Sequence, residues 1–444
     1  MTAAARDRRP LQILLAANAI SAAGTAMTLL AVPWFVLVTT GSAARSGVVA
    51  ACETVPLILA SAFGGPLIDR VGARRVSVAC DLLSAAGIAL IPLLHAAELL
   101  RFWQLCVLMA FVGLFRAPGD TARAVLLPDL IALAQTPMER ATSAFDGVER
   151  GARMVGAPVA GLLIAVLGPT GVLVVDAVTF VASALLVLRA VPALVRESMP
   201  AAEPYLRQLR EGLVFLRGDR LLLGITVMVM VTNMLDAAWA TVLLPVYARD
   251  VLDSSVGLGV LFGVFGIGAL VGTVLYGTLS PRLPRWPVFT IAFLVCGAPR
   301  FGVVAAESTY EVLLAVHLVC GIAAGALNPV LTAVDFERIP PALQSRVLGV
   351  GTAGVLAGMP VGALVGGFAV QHAGLRAAAL GMGGLYLLAT LSPLIWRCWR
   401  DMDSTRVGAP MAPSAPGSGS RVRRLRPSSS GLPRRPGSGR SGGT

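Results

Sequence analysis

The stretch GGPLIDRVGARR, residues 64–75, interrupts a long apolar part of the chain. The segment VVAACETVPLILASAF precedes it and VSVACDLLSAAGIALIPLL follows it. Within the stretch, Asp69 and three arginines are interspersed with glycines that favour turns. A short charged segment between two apolar helices predicts a loop that joins two membrane spans at the water interface.

The composition of the whole chain also predicts a membrane protein. The 444 residues are 56% hydrophobic and 14% charged, whereas soluble domains carry about 25% charged residues. The windows that lack Asp, Glu, Lys and Arg are 11–44, 254–281, 347–375 and 377–396. Since a helix needs roughly 20 apolar residues to cross a bilayer, the fold class predicted is an all-α polytopic membrane protein. A membrane β-barrel would show shorter segments of alternating hydrophobicity.

Charge and cysteine usage narrow the function classes. The net charge is +12, which in a membrane protein is typical of basic residues gathered in cytoplasmic loops. No soluble domain remains to bind nucleic acid, so no nucleic-acid partner is expected. The cysteines lie mostly in apolar runs without CxxC spacing, which disfavours a disulfide framework or a metal site. We expect no metal and no cofactor.

Twelve membrane spans are predicted from the apolar runs. Their approximate bounds are 11–38, 47–68, 76–95, 102–122, 148–167, 172–189, 221–247, 256–279, 288–305, 311–333, 347–370 and 377–396. With the N-terminus inside, the outside connections contain four arginines, Arg45, Arg101, Arg249 and Arg376, and the inside connections contain many more. This asymmetry predicts a multi-pass protein of the cell membrane with both termini in the cytoplasm.

The predicted organisation has five parts. Residues 1–10 form a cytoplasmic N-terminus, 11–189 and 221–399 form two six-helix bundles, 190–220 form a linker, and 400–444 form a disordered basic tail. In the linker, YLRQLREGLVFLRG predicts an amphipathic helix. It lies either on the inner membrane surface or against the ends of the bundle, and the pattern leaves both open. We expect a monomer whose surface contacts membrane lipid.

The two halves of the sequence resemble each other. A shift of 212 positions places Pro33 on Pro245 and Gly65 on Gly277, and a shift of 211 positions places Pro118 on Pro329. Two nearly equal offsets at corresponding places predict a parallel repeat of six spans about an axis along the membrane normal. Such halves rock against each other around a site near the midplane, which favours alternating access of a small-molecule substrate.

The opening stretch resembles the signature loop of the major facilitator superfamily. The matching residues are Gly65, Leu67, Asp69, Arg70, Gly72 and Arg74, and GTLSPRLPR from Gly277 resembles the degenerate second copy. The resemblance implies a conformational gate formed by Gly65, Asp69, Arg70, Gly72 and Arg74. In the family the equivalent of Asp69 lies against the start of the eleventh span, here near Ser345 and Arg346, and holds the cytoplasmic side shut. Gly65 is then expected to permit close helix packing.

Two further segments bear on the direction of transport. GARMVGAPVAG, residues 151–161, resembles the Gly-Pro-rich antiporter motif of exporters. AGMPVGALVGG in the eleventh span has a similar Gly- and Pro-containing pattern. Gly156, Pro158, Gly161 and Pro360 are the packing residues of these segments, although generic helix packing explains them equally well. Together with the segments near 113–130 and 168–188, they resemble the drug and macrolide exporter branch, which includes siderophore exporters.

Polar residues inside the spans are the candidates for proton coupling, because charges are costly within a bilayer. They are Glu53, Arg116, Asp120 and Asp236. Arg116 and Asp120 are four residues apart and are predicted to pair on one helix face, and the resemblance implies that Arg116 is linked to proton coupling. Structural ion pairs or contact with an aqueous cavity are the competing interpretations.

The candidates for contact with substrate are Asn18, Asn233, Asp236, Trp239 and Asn328. Trp239 is equally compatible with an interfacial anchor. No GxxxxGK[ST] loop occurs in the sequence, so an ion gradient is the expected energy source, with protons as the default. The sequence predicts proton-coupled efflux of amphiphilic molecules, drug-like, macrolide-like or siderophore-like. An uptake symporter and a transport-inactive sensor or scaffold remain alternatives, and an enzyme is not expected.

Overall fold

The computed structural model describes residues 7–192, 205–341 and 343–403, and this part of the chain is built from helices. Among the described residues, ten helical stretches are long and apolar enough to cross a membrane. Large apolar side chains point outward along them, including Val166 at 72% exposure and Leu388 at 69%. Such surfaces are stable only where lipid replaces water. The chain is therefore a multi-pass membrane protein.

The helical stretch Met138–Ala190 is two spans. Gly168 interrupts it with φ 73° and ψ 167°, a backbone conformation that is essentially restricted to glycine. Gly156, before the break, packs on Ala26, and Asp176, after the break, packs on Gly24. A straight helix would carry residues 156 and 176 about 30 Å apart. Since both lie against the same part of the first helix, the chain reverses at Gly168.

The stretch Gln344–Thr390 reverses in the same way. Gly374 has φ 81° and ψ 163°. Gly366 packs on Ala238 of the seventh span, while Tyr386 lies beside Phe301 in the ninth span, with ring centroids 6.0 Å apart. The described residues thus form twelve membrane spans, six in each half, and the predicted fold class is confirmed.

The helices are numbered by span. Those of the first half are α1 Arg9–Thr40, α2 Ala43–Val71, α3 Ala73–Ala96, α4 Phe102–Ala134, α5 138–167 and α6 169–190. The linker helix covers Tyr205–Gly218. Those of the second half are α7 Arg220–Asp250, α8 Ser255–Leu279, α9 Arg285–Ala305, α10 Tyr310–Arg338, α11 344–373 and α12 375–390. Short helices Ser392–Ile395 and Arg397–Met402 follow.

Two spans of the second half are irregular. A turn of π-helix, Trp239–Leu243, interrupts α7. Helix α9 breaks at Gly297 into Arg285–Cys296 and Ala298–Ala305. A side chain at Gly297 would overlap the ring of Tyr386, so the glycine lets α9 and α12 touch. Both irregularities are close to the residues of an ion pair between these two spans.

The observed bounds correct some of the predicted ones. Helix α5 begins at Met138, whereas the sequence predicted a start at 148, and α9 begins at Arg285 rather than 288. The early part of α5 carries several charged residues, so the apolar pattern placed the helix start too late. The predicted disordered tail and the linker before Tyr205 fall largely outside the described residues.

The linker helix packs on the second half. Gly212 lies against the backbone of Arg346 at the start of α11, and the Glu211 carboxylate pairs with the Arg346 guanidinium. Leu216 is buried at 5% exposure. The linker helix is therefore fixed to α11.

Candidate functional site

A cavity of about 970 Å³ lies between the two halves. This volume is at the upper end of the range for sites that enclose drug-sized ligands. Helices α1 and α5 line it from the first half, and α7, α8 and α10 from the second. The lining residues are Ala26, Leu29, Leu30, Gly147, Arg150, Gly151, Arg153, Met154, Ala157, Ala240, Thr241, Phe262, Phe265, Gly266, Ala269, Leu270, Thr273, Ala324, Gly325, Asn328, Pro329, Thr332 and Ala333.

The halves are in close contact on one side of the membrane. We call this the far side, because it is opposite the 64–75 loop, and we call the other the loop side. On the far side, a side chain at Gly47 of α2 would overlap the carbonyl oxygen of Ala363 on α11. Gly161 of α5 lies against the backbone of Ser255 and Gly259 on α8. These contacts leave no space for a solute to pass.

Hydrogen bonds reinforce the far-side contact. The Arg249 guanidinium donates to the Leu37 carbonyl oxygen at 2.9 Å, and the Ser255 hydroxyl donates to the Gly161 carbonyl oxygen at 3.0 Å. Other bonds between the halves are Ser46 to the Thr241 carbonyl and Ser42 to Gln371, each at 3.0 Å. The largest apolar core cluster also includes residues of both halves here.

The same helices diverge on the loop side. A Cβ atom on Gly65 of α2, Gly151 of α5, Gly277 of α8 or Gly351 of α11 would meet nothing within 4 Å. The apolar clusters near this side each belong to one half, since one is built around Leu14 and Leu130 and another around Phe289 and Val330. The cavity is therefore closed on the far side and open on the loop side.

The expected gate contact is absent in this conformation. Asp69 is exposed and has no hydrogen-bond or ion-pair partner among the described residues. Arg346, its expected neighbour, pairs with Glu211 of the linker helix. Gly65 makes no close helix contact in this conformation, since a Cβ atom there would meet nothing within 4 Å, and its role in the gate stays a prediction.

The loop itself is anchored within the first half. Gly72 separates α2 from α3 with φ 94° and donates its N–H to the Ile68 carbonyl oxygen at 2.8 Å. The Arg74 guanidinium donates to the Leu188 carbonyl oxygen near the end of α6. Arg70 is exposed. The loop therefore holds α3 against α6, while the Asp69 carboxylate is exposed and can form the gate contact in another conformation.

The small residues of α5 make contacts in two directions. Gly156 packs on Ala23 and Ala26 of α1, inside the first half. Pro158 packs on Gly263 of α8, across the interface, and Gly161, about one turn further along, packs on Ser255 and Gly259. Pro360 is buried within α11, and the helix continues through it. Helix α5 thus contacts both its own half and the opposite one through residues with little or no side chain.

A first buried ion pair joins α2 to α4. The Arg116 guanidinium donates to the Glu53 carboxylate at 2.7 Å, and the two side chains are 11% and 10% exposed. Gly113 makes this possible, since a side chain there would overlap the Glu53 carbonyl oxygen. The predicted pairing of Arg116 with Asp120 is wrong. The reason is that the α2–α4 approach brings the carboxylate of Glu53 to Arg116.

A second group of charges joins α1, α3, α4 and α6. Arg123 bonds both Asp81 carboxylate oxygens, at 2.8 and 2.9 Å, and donates to Asp120 at 2.5 Å and to the Ser21 hydroxyl at 3.1 Å. The Ser183 hydroxyl donates to Asp81 at 2.8 Å. Arg123 and Asp81 are 2% and 3% exposed. Asp120, predicted as a coupling residue, is 49% exposed and belongs to this group.

A third pair joins α7 to α9. The Arg300 guanidinium bonds the Asp236 carboxylate, and it lies 5.4 to 5.6 Å from the ring centroids of Trp239, Phe301 and Tyr386. Arg300 is 6% exposed, whereas the Asp236 side chain is 38% exposed. The arginine is therefore enclosed by aromatic faces, whereas the side chain of its carboxylate partner is partly exposed.

The other residues predicted to contact substrate lie in different parts of the structure, and one of them, Asn328, lines the cavity. Asn328 is exposed and lines the cavity. Trp239 is 3% exposed and packs edge-on against Phe301, so it belongs to the core of the second half and does not line the cavity. Asn18 is buried, and its amide nitrogen has no hydrogen-bond partner among the described residues. Asn233 is half-buried on α7.

A family comparison agrees with this architecture. The model described as Major Facilitator Superfamily matches residues 14–302 and 254–427. The chain belongs to the Major Facilitator Superfamily. It is therefore a transporter, and the resemblance seen in the 64–75 loop is confirmed.

Related sequences of this superfamily include named efflux proteins. The chain is 31% identical over 387 residues to the multidrug efflux pump Tap of Mycobacterium tuberculosis, covering 85% of the chain and 90% of that protein. It is 30% identical over 401 residues to Tap of Mycolicibacterium fortuitum, with 89% and 98% coverage. It is 21% identical over 386 residues to macrolide efflux protein A of Streptococcus pyogenes, with 86% and 94% coverage.

Solved structures of other transporters share the fold. The nucleoside transporter NupG matches with a TM-score of 0.69 at 11% identity, covering 87% of this chain and 98% of that one. A bacterial homologue of the iron transporter ferroportin, in an inward-facing state, matches with a TM-score of 0.69 at 15% identity, covering 88% and 98%. At these identities the likeness shows the fold alone.

Sequence reasoning missed two arginines of this superfamily member. Neither Arg300 nor Arg123 is among the candidates that the sequence predicted. A signal existed for each. Arg300 is the one charged residue between 286 and 306, and Arg123 follows Asp120 at a spacing that puts both on one helix face.

Proposed function

We propose that this transporter exports amphiphilic small molecules by alternating access, in exchange for protons. The observation that carries the proposal is the cavity of about 970 Å³, closed on the far side and open on the loop side. A cavity open to one side only is one of the two states that alternating access requires. The names of the Tap and macrolide efflux relatives support the outward direction.

The proposed motion is a rocking of residues 11–189 against residues 221–399. Opening the far side separates α2 from α11 and α5 from α8, where glycines and a few hydrogen bonds form the contact. Closing the loop side brings Asp69 towards the start of α11. A carboxylate beside a helix N-terminus gains roughly 0.3–1 kcal/mol, so this contact favours the closed state without touching substrate.

The proposed proton carriers are the carboxylates of Glu53 and Asp236. Each is bonded to an arginine within a membrane span, Arg116 and Arg300 respectively. Protonation removes the negative charge and weakens the pair. Because 38% of the Asp236 side chain is exposed, Asp236 is the better placed of the two to exchange a proton. Asp120 remains a candidate through its bond to Arg123.

The proposal includes an orientation of the protein in the membrane. The loop side carries the 64–75 loop and its arginines, so we propose that it faces the cytoplasm, with both chain ends there, in the cell membrane. The exporter then takes its substrate from the cytoplasm. It acts as a monomer, because a single chain supplies every wall of the cavity.

Transport in everted membrane vesicles tests the proposal. The vesicles come from cells that lack their own pumps, and a panel of amphiphilic dyes is supplied outside them. An exporter accumulates dye inside when an inward-acidic gradient is imposed, and an uncoupler abolishes the accumulation. Asp236→Asn and Glu53→Gln vesicles, normalised to the amount of folded protein, are expected to lose gradient-driven accumulation.

The other functions give different results. An uptake symporter accumulates dye in right-side-out vesicles only. A transport-inactive sensor gives equal dye retention with and without the protein across the panel, and this result would reject the proposal. Accumulation that survives the uncoupler would reject proton coupling and leave transport intact.

A further inference from the structure

The charged residues that line the cavity are both basic. They are Arg150 and Arg153 on α5, and with Met154 and Ala157 they occupy spacings of three, four and seven residues, which place them on one helix face. No acidic residue is among the lining residues of the described chain. The charged side chains that line the cavity are therefore exclusively cationic.

The two arginines differ in their partners. Arg153 donates to the Glu149 carboxylate at 2.7 Å, so this pair is close to neutral. Arg150 has no hydrogen-bond or ion-pair partner within the described part of the chain. It is exposed to the cavity. Arg150 is thus the unneutralised cation of the cavity.

The rest of the wall is apolar or weakly polar. Phe262 and Phe265 of α8 face the cavity together with Leu29 and Leu30 of α1, and Asn328 of α10 adds an amide. Sites of this kind hold an apolar body by surface burial and orient it with a few polar groups. A cationic ligand would meet Arg150 without an acidic group to compensate, whereas an anionic ligand would gain a charge-assisted hydrogen bond.

We propose that the cavity binds amphiphiles that carry an anionic group, such as a carboxylate or sulfonate, on an apolar or aromatic body, with Arg150 as the anion contact. The inference deepens the proposed function and rests on its assignment of the cavity as the substrate site. The guanidinium supplies paired donors that match carboxylate and sulfonate oxygens. The phenyl rings of α8 take the apolar body.

Binding of two dyes with one xanthene core and opposite charge tests the inference. Fluorescein is an anion at mildly alkaline pH, and rhodamine B ethyl ester is a cation. Fluorescence anisotropy is measured on the purified full chain in neutral detergent, with protein-free micelles as the blank. The wild-type protein is expected to bind fluorescein more tightly than the rhodamine ester.

Substitutions locate the effect. Arg150→Gln is expected to weaken fluorescein binding about tenfold and to leave the rhodamine ester unaffected or more tightly bound. Arg150→Lys keeps the charge and is expected to retain most of the affinity. Arg140→Gln is the matched control, since Arg140 is also an exposed arginine of α5 but does not line the cavity. Melting temperatures of all variants verify folding.

Three results would overturn the inference. They are tighter binding of the rhodamine ester, equal losses in Arg150→Gln and Arg140→Gln, and no saturable binding of either dye. Equal losses would mean that the arginines of α5 act through general charge and that Arg150 makes no specific contact. Since binding is read without transport, vesicles that fail to move dyes while fluorescein binding persists would reject the proposed export and leave the anion site standing.

Discussion

Asp236 and Arg300 are 64 residues apart in the chain, yet they form an ion pair that ties α7 to α9 inside the second half. The arginine is enclosed by Trp239, Phe301 and Tyr386. Its positive charge is therefore balanced by one carboxylate, that of Asp236. An ion pair of this kind holds two helices together, and protonation of its carboxylate would weaken it. The two roles are separable by substitution.

Asp236→Asn is expected to lower the stability of the protein by about 1–2 kcal/mol, because it leaves Arg300 without its anionic partner. The double variant Asp236→Asn with Arg300→Gln is expected to regain part of that loss, since no unpaired charge remains. Thermal unfolding in detergent measures both. Recovery of stability without recovery of transport would assign Asp236 to coupling, whereas equal stability of single and double variants would contradict the prediction.

Arg123→Lys is expected to destabilise the first half. An ammonium group cannot reproduce the planar set of bonds from Arg123 to both Asp81 oxygens, Asp120 and Ser21. We expect a fall of several kelvin in melting temperature. Arg140→Lys, at an exposed site of α5, serves as control. A melting temperature equal to that of the control would show that the buried bonds contribute little.

Gly161→Leu is expected to shift the protein towards states that are open on the far side. A side chain there overlaps the backbone of Ser255 on α8, and overpacking of this kind costs about 1–3 kcal/mol. Distances between spin labels on the far-side ends of α5 and α8 should lengthen. Gly384→Leu on α12, where a Cβ meets nothing within 4 Å, should leave them unchanged. Unaltered distances in both variants would refute the far-side closure.

Asp69→Asn is expected to reduce transport without reducing stability. Asp69 has no partner among the described residues in this conformation, so the substitution removes nothing from it. It weakens only the state that is closed on the loop side. A thiol-reactive probe at a cysteine placed on the cavity wall should react faster from the loop side. A lower melting temperature with unchanged labelling would contradict this reasoning.

The span count and the superfamily could be predicted because lipid imposes a strong constraint on sequence. A run of apolar residues and the 64–75 loop are local signals, and they need no knowledge of which helices touch. The reversals at Gly168 and Gly374 were marked by glycines in short connections. Some helix bounds were shifted, as at the start of α5 and the end of α4, where the helix extends beyond the apolar part into charged residues.

The partners of the buried charges could not be predicted in the same way. Arg116 pairs with Glu53 rather than Asp120 because Gly113 of α4 lets that helix approach α2, and the sequence of α4 does not show which helix packs on this glycine. Trp239 was a candidate for the cavity wall or for an interfacial anchor, but the orientation of α7 directs it towards Phe301. Helix periodicity fixes which residues share a face, whereas the direction of that face depends on packing between helices.

The charge group around Arg123 has a mechanical consequence for the transporter. It connects α1, α3 and α4 through the Arg123 guanidinium and α6 through the Asp81 carboxylate, so these four helices resist sliding past one another. In the proposed alternating-access cycle the first half is therefore expected to turn as a rigid unit, and deformation is expected mainly in the second half, where α7 and α9 are irregular.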